Sequence, residues 1–422
     1  MIYALIIVYI LINVCFCLYE FSKRYISAGL IVSVGQLLMF CGIAKLASFD
    51  VKADVILIGL YLLGYLFFIS FYIILCRDYD VSSIPFNTKD KISLYQYRIL
   101  YCMIIGSTLI SIAFFALSGV NIIQTMISAI VTRSSTDISQ LRKAITFTRG
   151  SGAVYQLRNF VLPLSVMFFV IFEKGKKRYF GIIFLPITIL LLIGSGQRAG
   201  LVFLILISIV SVLFSVKIGK NYVNTDVSLA RTAKKRKKRI YIITALLVIA
   251  FAMLTVLNGR DQVSGSLVKA VQDRFLNDNQ ACAILGFRYI YNRDITYGAD
   301  WFNMFIDLFR ENQYTPVSAL IHAQLYGSLE GTAPPCIWGS AYYNFGVFGI
   351  VLNALFLAFM SKTLYAGLCR KENNSLRLLM YGALFVLFGT WVADSPIMLL
   401  NGGFLVVIFM ILLLFPRIKI TK

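Results

Sequence analysis

Apolar runs dominate this chain, and their lengths decide what it can fold into. A helix that crosses a bilayer needs about 20 mostly apolar residues. Runs of that kind, bounded by charges or turn residues, stand at about 2–19, 29–49, 53–76, 99–118, 159–172, 180–196, 199–216, 240–257, 341–361, 376–393 and 398–416. With 59% of its 422 residues hydrophobic and only 14% charged, the chain is no soluble cytosolic domain. The expected fold is an all-α polytopic membrane protein of about 11 transmembrane helices. No internal repeat at solenoid or transporter period is visible.

The net charge of +21 would suggest nucleic acid only if the positive residues shared one exposed surface. They do not, because cytoplasmic loops retain Lys and Arg and the two most basic segments are loops between spans. These are KKRKKR at 234–239, within loop 217–239, and EKGKKR at 173–178. Placing both inside puts 26 of the 40 basic and 7 of the 19 acidic residues on the cytoplasmic side, leaving 14 and 12 outside. The N-terminus is then outside and the C-terminus inside, with Lys23 and Arg24 after the first span in agreement. That span starts at Met1, lacks a basic leader and a small-residue cleavage site, and reads as a retained anchor helix.

The blocks that follow are N-terminal helices in 1–118, a smaller extracytoplasmic loop at 119–158 and central helices in 159–257. A large extracytoplasmic loop at 258–340 and C-terminal helices in 341–422 complete the chain. Loops as long as the two outer ones are usually functional or disordered, and neither has a disordered composition. In the larger, WFNMFIDLFRE sets Trp301, Phe302, Phe305, Leu308 and Phe309 on one stripe, the pattern of a helix lying in the membrane interface. In the smaller, Asp137 and Gln140 resemble a capping box, Gly150 is a plausible stop, and Arg142 and Arg149 share one side of the intervening helix.

Candidate chemistry centres on arginine. Arg198, in GSGQRAG between two apolar runs, needs a partner or a wet cavity; the alternative is a tight hairpin whose Arg snorkels to the interface. Arg133, Arg142, Lys143, Arg149 and Arg158 against Asp137 alone give the smaller outer loop a local +4. Such a patch suits an anionic lipid headgroup, a diphosphate above all, which Arg grips bidentately; the alternative is a solvated face touching ordinary lipid phosphates. His322, the only histidine, and Glu330 in GSLEGTAPP are the outer groups able to act as a base, each with an equally open structural reading. With one histidine, no paired-carboxylate motif and no phosphate-cradling glycine loop, neither metal nor cofactor is expected. Cys282 and Cys336 both fall outside, where a disulfide can form; two small buried residues is the other reading.

GTAPPCIWGSAYYNFGVFGIVLNALF at 331–356, with its Tyr-x-Asn-Phe-Gly-x-x-Gly element, resembles the bacterial oligosaccharide repeat-unit polymerases of the lipid-linked, flippase-dependent pathway, which build O-antigen or capsule. LLIGSGQRAGLVFLI at 191–205 is similar to the segment these polymerases share with O-antigen ligases. Members often carry an acidic residue just before the Tyr-x-x-Asn-Phe-Gly element; here it is Ser340. The resemblance implies a GT-C-like glycosyltransferase in the bacterial cytoplasmic (inner) membrane with its site on the periplasmic face. Its substrate would be an undecaprenyl-diphosphate-linked oligosaccharide, with a chain-length regulator and a flippase as partners. In that scheme Arg142, Arg149, Arg198 and Arg260 hold the diphosphate, and His322 or Glu330 serves the acceptor hydroxyl. Tyr342, Tyr343 and Asn344 contact sugar or shape the loop-to-helix corner. The rivals are an O-antigen ligase, a polysaccharide flippase or other transporter, and a membrane O-acyltransferase. The last needs a His in or beside a span, whereas His322 lies mid-loop.

Overall fold

The computed structural model describes residues 2–80, 82, 84–85, 92–119, 151–193, 199–222, 277, 279–307, 314–329, 331–370 and 373–416. Its helices are α1 (Ile2–Lys23), α2 (Ala28–Leu46), α3 (Lys52–Leu75), α4 (Leu94–Leu117), α5 (Ser151–Phe172), α6 (Gly175–Ile193), α7 (Ala199–Tyr222), α8 (Asn279–Tyr291), α9 (Ala299–Asp307), α10 (Val317–Tyr326), α11 (Cys336–Cys369), α12 (Ser375–Phe388) and α13 (Phe404–Leu414). Among the described residues there is no strand, and seven helices are long and apolar enough to cross a membrane: α1 to α5, α11, and Ser375–Ala393, which is α12 with the 3-10 turn that follows it. The chain is therefore a multi-pass helical membrane protein. The expected run at 240–257 lies outside the described residues, as do Arg142, Arg149, Arg198, Arg260, Glu330 and the capped helix expected after Asp137.

Two compact units form, each from discontinuous segments. The first comprises Met1–Ser83, Gln272–Arg370 and Leu387–Gly402, the second Ile84–Val271, Lys371–Val386 and Gly403–Lys422. In the first unit, α3 packs on α11 at a place only glycine permits, since a Cβ on Gly64 would lie 2.7 Å from the Trp338 ring. Trp338 donates its indole N–H to Gln36 Oε1 of α2 at 3.1 Å. Tyr9 of α1 stacks on Phe40 of α2 with centroids 3.8 Å apart and meets Tyr61 and Tyr65 of α3. Aromatic edges and faces thus fill the space between helices where neighbouring lipid would otherwise compete equally well.

The turn between α1 and α2 is locked by buried polar groups. Glu20 accepts from Ser27 Oγ at 2.7 Å and Tyr72 OH at 2.8 Å and pairs with Arg24, while the Ser27 hydroxyl caps α2 through Leu30 N at 3.0 Å. Arg24 is 1% exposed and paired with Glu20.

In the second unit α5 is the central helix, and every residue from Arg158 to Phe172 is buried. It turns back into α6 through Gly175, whose φ is +57°, and a Cβ on Gly181 would lie 2.7 Å from Phe169. Ser93 and Gln96 form a capping box at the start of α4, and Gln96 Nε2 donates to the Leu414 carbonyl of α13 at 2.9 Å. The span expected at 159–172 begins at Ser151, so Arg158, expected in the outer loop, sits inside the helix.

Candidate functional site

A cavity of about 1050 Å³ opens in the first unit, lined by Leu285, Arg288, Tyr289, Asn292, Arg293 and Asp294 of the 285–294 segment, by Ile321, Gln324 and Leu325 of α10, and by Tyr343 of α11. The sequence FRYIYNRD builds most of one wall, because residues four apart share a helical face. Positions 285, 288, 289 and 292 therefore point the same way. Arg288 is fixed by a bidentate pair with Asp54 at the start of α3, at 2.8 and 2.7 Å, which raises its affinity for the proton chiefly through the hydrogen bond to that carboxylate. Asp54 also accepts from Ser48 N at 2.8 Å, so the carboxylate that orients Arg288 is itself held. The Arg293 guanidinium lies 4.0 Å from the Tyr289 ring centroid. Beneath the cavity, Ile290, Val317, Ile321, Ala333 and Tyr343 form a buried apolar cluster.

Tyr343 reaches this wall because α11 is broken immediately after it. Phe345 (φ −141°, ψ 16°) and Gly346 (φ 62°, ψ −145°) are non-helical, and the second of these conformations belongs to glycine alone. The carbonyls released by the break are taken up by the 296–298 loop: Thr296 N donates to Tyr343 O and Gly298 N to Asn344 O, both at 3.0 Å. Asn344, fully buried, completes the joint. Its amide donates to Ser340 O at 3.0 Å, and its Oδ1 accepts from Trp301 N at 3.2 Å and Thr296 Oγ1 at 3.3 Å. Trp301 Nε1 donates to Ser340 Oγ at 2.9 Å, so Ser340 takes a hydrogen bond from α9.

Two buried acids stand behind the joint. Asp300 accepts from Val317 N at 2.9 Å and Tyr314 OH at 3.0 Å, yet burial raises its pKa above the usual carboxylate range. Asp394, at the end of the 3-10 turn Gly389–Ala393, is pushed up to about 7 by burial first and by Asp300 second.

The residues singled out in the sequence divide accordingly. Tyr343 lines the cavity and Asn344 forms the joint, while Tyr342 is half-buried against the apolar cluster and meets Phe287 at 5.5 Å. His322 does not line the cavity. Its Nδ1–H donates to Ser328 O at 2.7 Å and its ring fills the space a side chain at Gly331 would need, so it clamps the loop after α10. In the expected interfacial stripe, Phe302 and Phe305 are exposed, but Trp301 turns inward to Ser340. Cys282 and Cys336 are not joined by a disulfide. Arg288, Tyr289, Asn292, Arg293 and Asp294 are not among the residues the sequence singles out, although Leu285, Arg288 and Tyr289 share a face of one short helix that runs into the other three. Among the described residues no three His, Cys, Asp or Glu side chains gather as a metal site.

The class that fold and site define is a multi-pass helical membrane protein with a polar, aromatic-walled cavity formed by the segment between its spans. Comparison with protein-family models, with curated proteins and with solved structures gives no match.

Proposed function

We propose that the protein is a polysaccharide polymerase of the bacterial cytoplasmic membrane, GT-C-like in architecture, with about 11 spans and its site on the outer face. It transfers a growing glycan from undecaprenyl diphosphate to the terminal sugar of a lipid-linked repeat unit. The observation that carries this reading is the cavity itself. Tyr289 and Tyr343 offer aromatic surface, and Arg288, Asn292, Arg293, Asp294 and Gln324 offer donors and acceptors around it, the set that a sugar's apolar faces and hydroxyl rim require.

In the reaction, an acceptor hydroxyl attacks the anomeric carbon of the donor glycan, the bond from that carbon to the diphosphate oxygen breaks, and the hydroxyl loses its proton. Asp294 is the carboxylate in the cavity and takes the proton. The leaving diphosphate needs positive charge already in place, and that is the role of Arg142, Arg149, Arg198 and Arg260. His322 clamps the loop after α10 and contributes no proton transfer.

The test is reconstitution of the purified protein with an undecaprenyl-diphosphate-linked repeat unit, without nucleotide or acyl donor. A ladder of chain lengths is expected. Tyr343→Ala and Asp294→Asn should each shorten or abolish it, the latter by about 10²-fold or more in rate. Transfer only onto lipid A core would instead identify a ligase. Movement of the unit across the bilayer without bond formation would identify a flippase.

A further inference from the structure

We infer that the second unit contains a binding site for the phosphate headgroup of a lipid, centred on Arg158 and Asn159 and sunk below the end of α5. Arg158 lies seven residues into a helix that is long and apolar enough to cross a membrane, about 10 Å from its first residue. It is 1% exposed, so its guanidinium does not escape to the interface. Among the described residues, Nε donates to Asn159 Oδ1 at 3.3 Å, the guanidinium carbon sits 5.6 Å from the centre of the Phe115 ring, and the Tyr155 hydroxyl interacts with it electrostatically. No carboxylate lies within ion-pair distance of it among those residues, and its two terminal nitrogens have no protein acceptor there. An arginine cannot shed its proton to relieve burial, and an uncompensated charge at this depth is costly.

A second orphan points to the same place. Asn159 is 4% exposed, and its Nδ2, a donor, is buried without a partner, while its Oδ1 is taken by Arg158. Both residues fall on the π turn Leu157–Val161, and such π bulges are frequent at functional positions in helices. The turn is fixed from outside: a Cβ on Gly403 would lie 2.5 Å from the Phe160 ring, and one on Gly200 would lie 3.1 Å from Asn159 Oδ1. Packing thus holds donors, Asn159 Nδ2 and the terminal nitrogens of Arg158, for which the described residues supply no acceptor. The missing component is a compact anion with several acceptor oxygens. Because Phe115 lies against the guanidinium and the helix is long and apolar enough to cross a membrane, that anion arrives on a lipid. A phosphate or diphosphate ester satisfies guanidinium and amide together, bidentately at the arginine.

The carrier is a polyprenyl diphosphate or a glycerophospholipid. In the first case the site deepens the polymerase reading and rests on it; the phosphate recognition itself does not. Binding rather than polymerisation is accordingly what should be measured. Delipidated protein would be titrated with undecaprenyl diphosphate, phosphatidylglycerol, inorganic diphosphate and oleate, following bound species by native mass spectrometry and the melting temperature in parallel. Arg158→Met should leave the melting temperature of the lipid-free protein unchanged or higher, since it removes an unmatched charge, and should weaken binding of a phosphate lipid at least tenfold. Asn159→Ala should weaken it less, and Arg158→Lys should restore only part of it. Tighter binding of the diphosphate lipid than of phosphatidylglycerol ties the site to the transfer reaction. The reverse order supports the phosphate site and detaches it from that reaction. Wild-type affinity in both Arg158→Met and Asn159→Ala, or oleate bound as tightly as the phosphate lipids, overturns the inference.

Discussion

Asp394 shows how far a single side chain's chemistry is set by where the chain folds it. It sits in a four-residue connection between apolar runs, with no motif around it, and nothing in the local sequence marks it. Tertiary packing buries it beside Asp300 and pushes its pKa up to about 7, with burial the larger cause. A carboxyl whose pKa rises on folding favours the protonated native state. Its contribution is fully present below the ordinary carboxylate value of about 3.9, declines as the pH climbs, and is gone above about 7. Asp300, raised for the same reason, acts in the same direction. The melting temperature of the purified protein should therefore fall between about pH 4 and 7 and level off above. Asp394→Asn should flatten that slope and raise the melting temperature at pH 7.5. A lower melting temperature for this variant at pH 7.5 would mean that the ionised form is the one the fold requires. Spacing alone could find Arg288, Tyr289 and Asn292, because they repeat on one helical face; it could not find Asp300 or Asp394, whose environment is made by residues nearly a hundred positions apart.

At the level of elements, the sequence places most helices correctly and their ends poorly, for a reason visible in two of them. Charged residues read as the limits of apolar runs, but α5 continues through Arg158 to Ser151, and α1 continues through Glu20 to Lys23. Glu20 is inside because Ser27 and Tyr72 meet it, and Arg158 lies against Asn159 and Phe115. The Tyr-x-Asn-Phe-Gly element shows the converse. It reads as a loop-to-helix corner, whereas the helix has already begun at Cys336 and the corner is a break within it. Gly346 makes that break possible, and Ile295 packs where its side chain would be, at 2.8 Å from an added Cβ. Gly346→Ala should cost about 1–3 kcal/mol from backbone conformation alone, before any displacement of Ile295. Because the break aims Tyr343 into the cavity wall, the variant should also lose sugar binding in excess of its loss of stability. Thermal unfolding alongside titration with the isolated repeat-unit oligosaccharide would separate the two, and wild-type values for both would remove the break from any functional account.

For the molecule as a whole, the charge of +21 is an argument about orientation, and the contacts of the first unit supply an independent arrangement to set beside it. Asp54 at the start of α3 meets Arg288, and Lys45 at the end of α2 meets Asn277 at 3.0 Å. Each of these positions falls on the side that the basic loops assign to the exterior. Glu20, Ser27 and Tyr72, assigned to the cytoplasmic end, meet one another. Helix packing must keep span ends on one side together whichever way the protein is inserted, so these contacts fix which ends share a face, and the Lys and Arg bias must decide which face is outside. A cysteine scan tests that decision directly. Tyr297, 84% exposed beside the cavity segment, is a suitable outer reporter, and Lys235 in the basic segment KKRKKR an inner one. The eight native cysteines would first be replaced, as Cys15 and Cys102 are exposed on spanning helices and would blur the signal. In intact spheroplasts a membrane-impermeant maleimide should modify Tyr297→Cys and spare Lys235→Cys, and in inverted vesicles the pattern should reverse. Labelling of Lys235→Cys from outside would invert the molecule and move the cavity to the cytoplasm, where a lipid-linked glycan on the outer leaflet could not reach it.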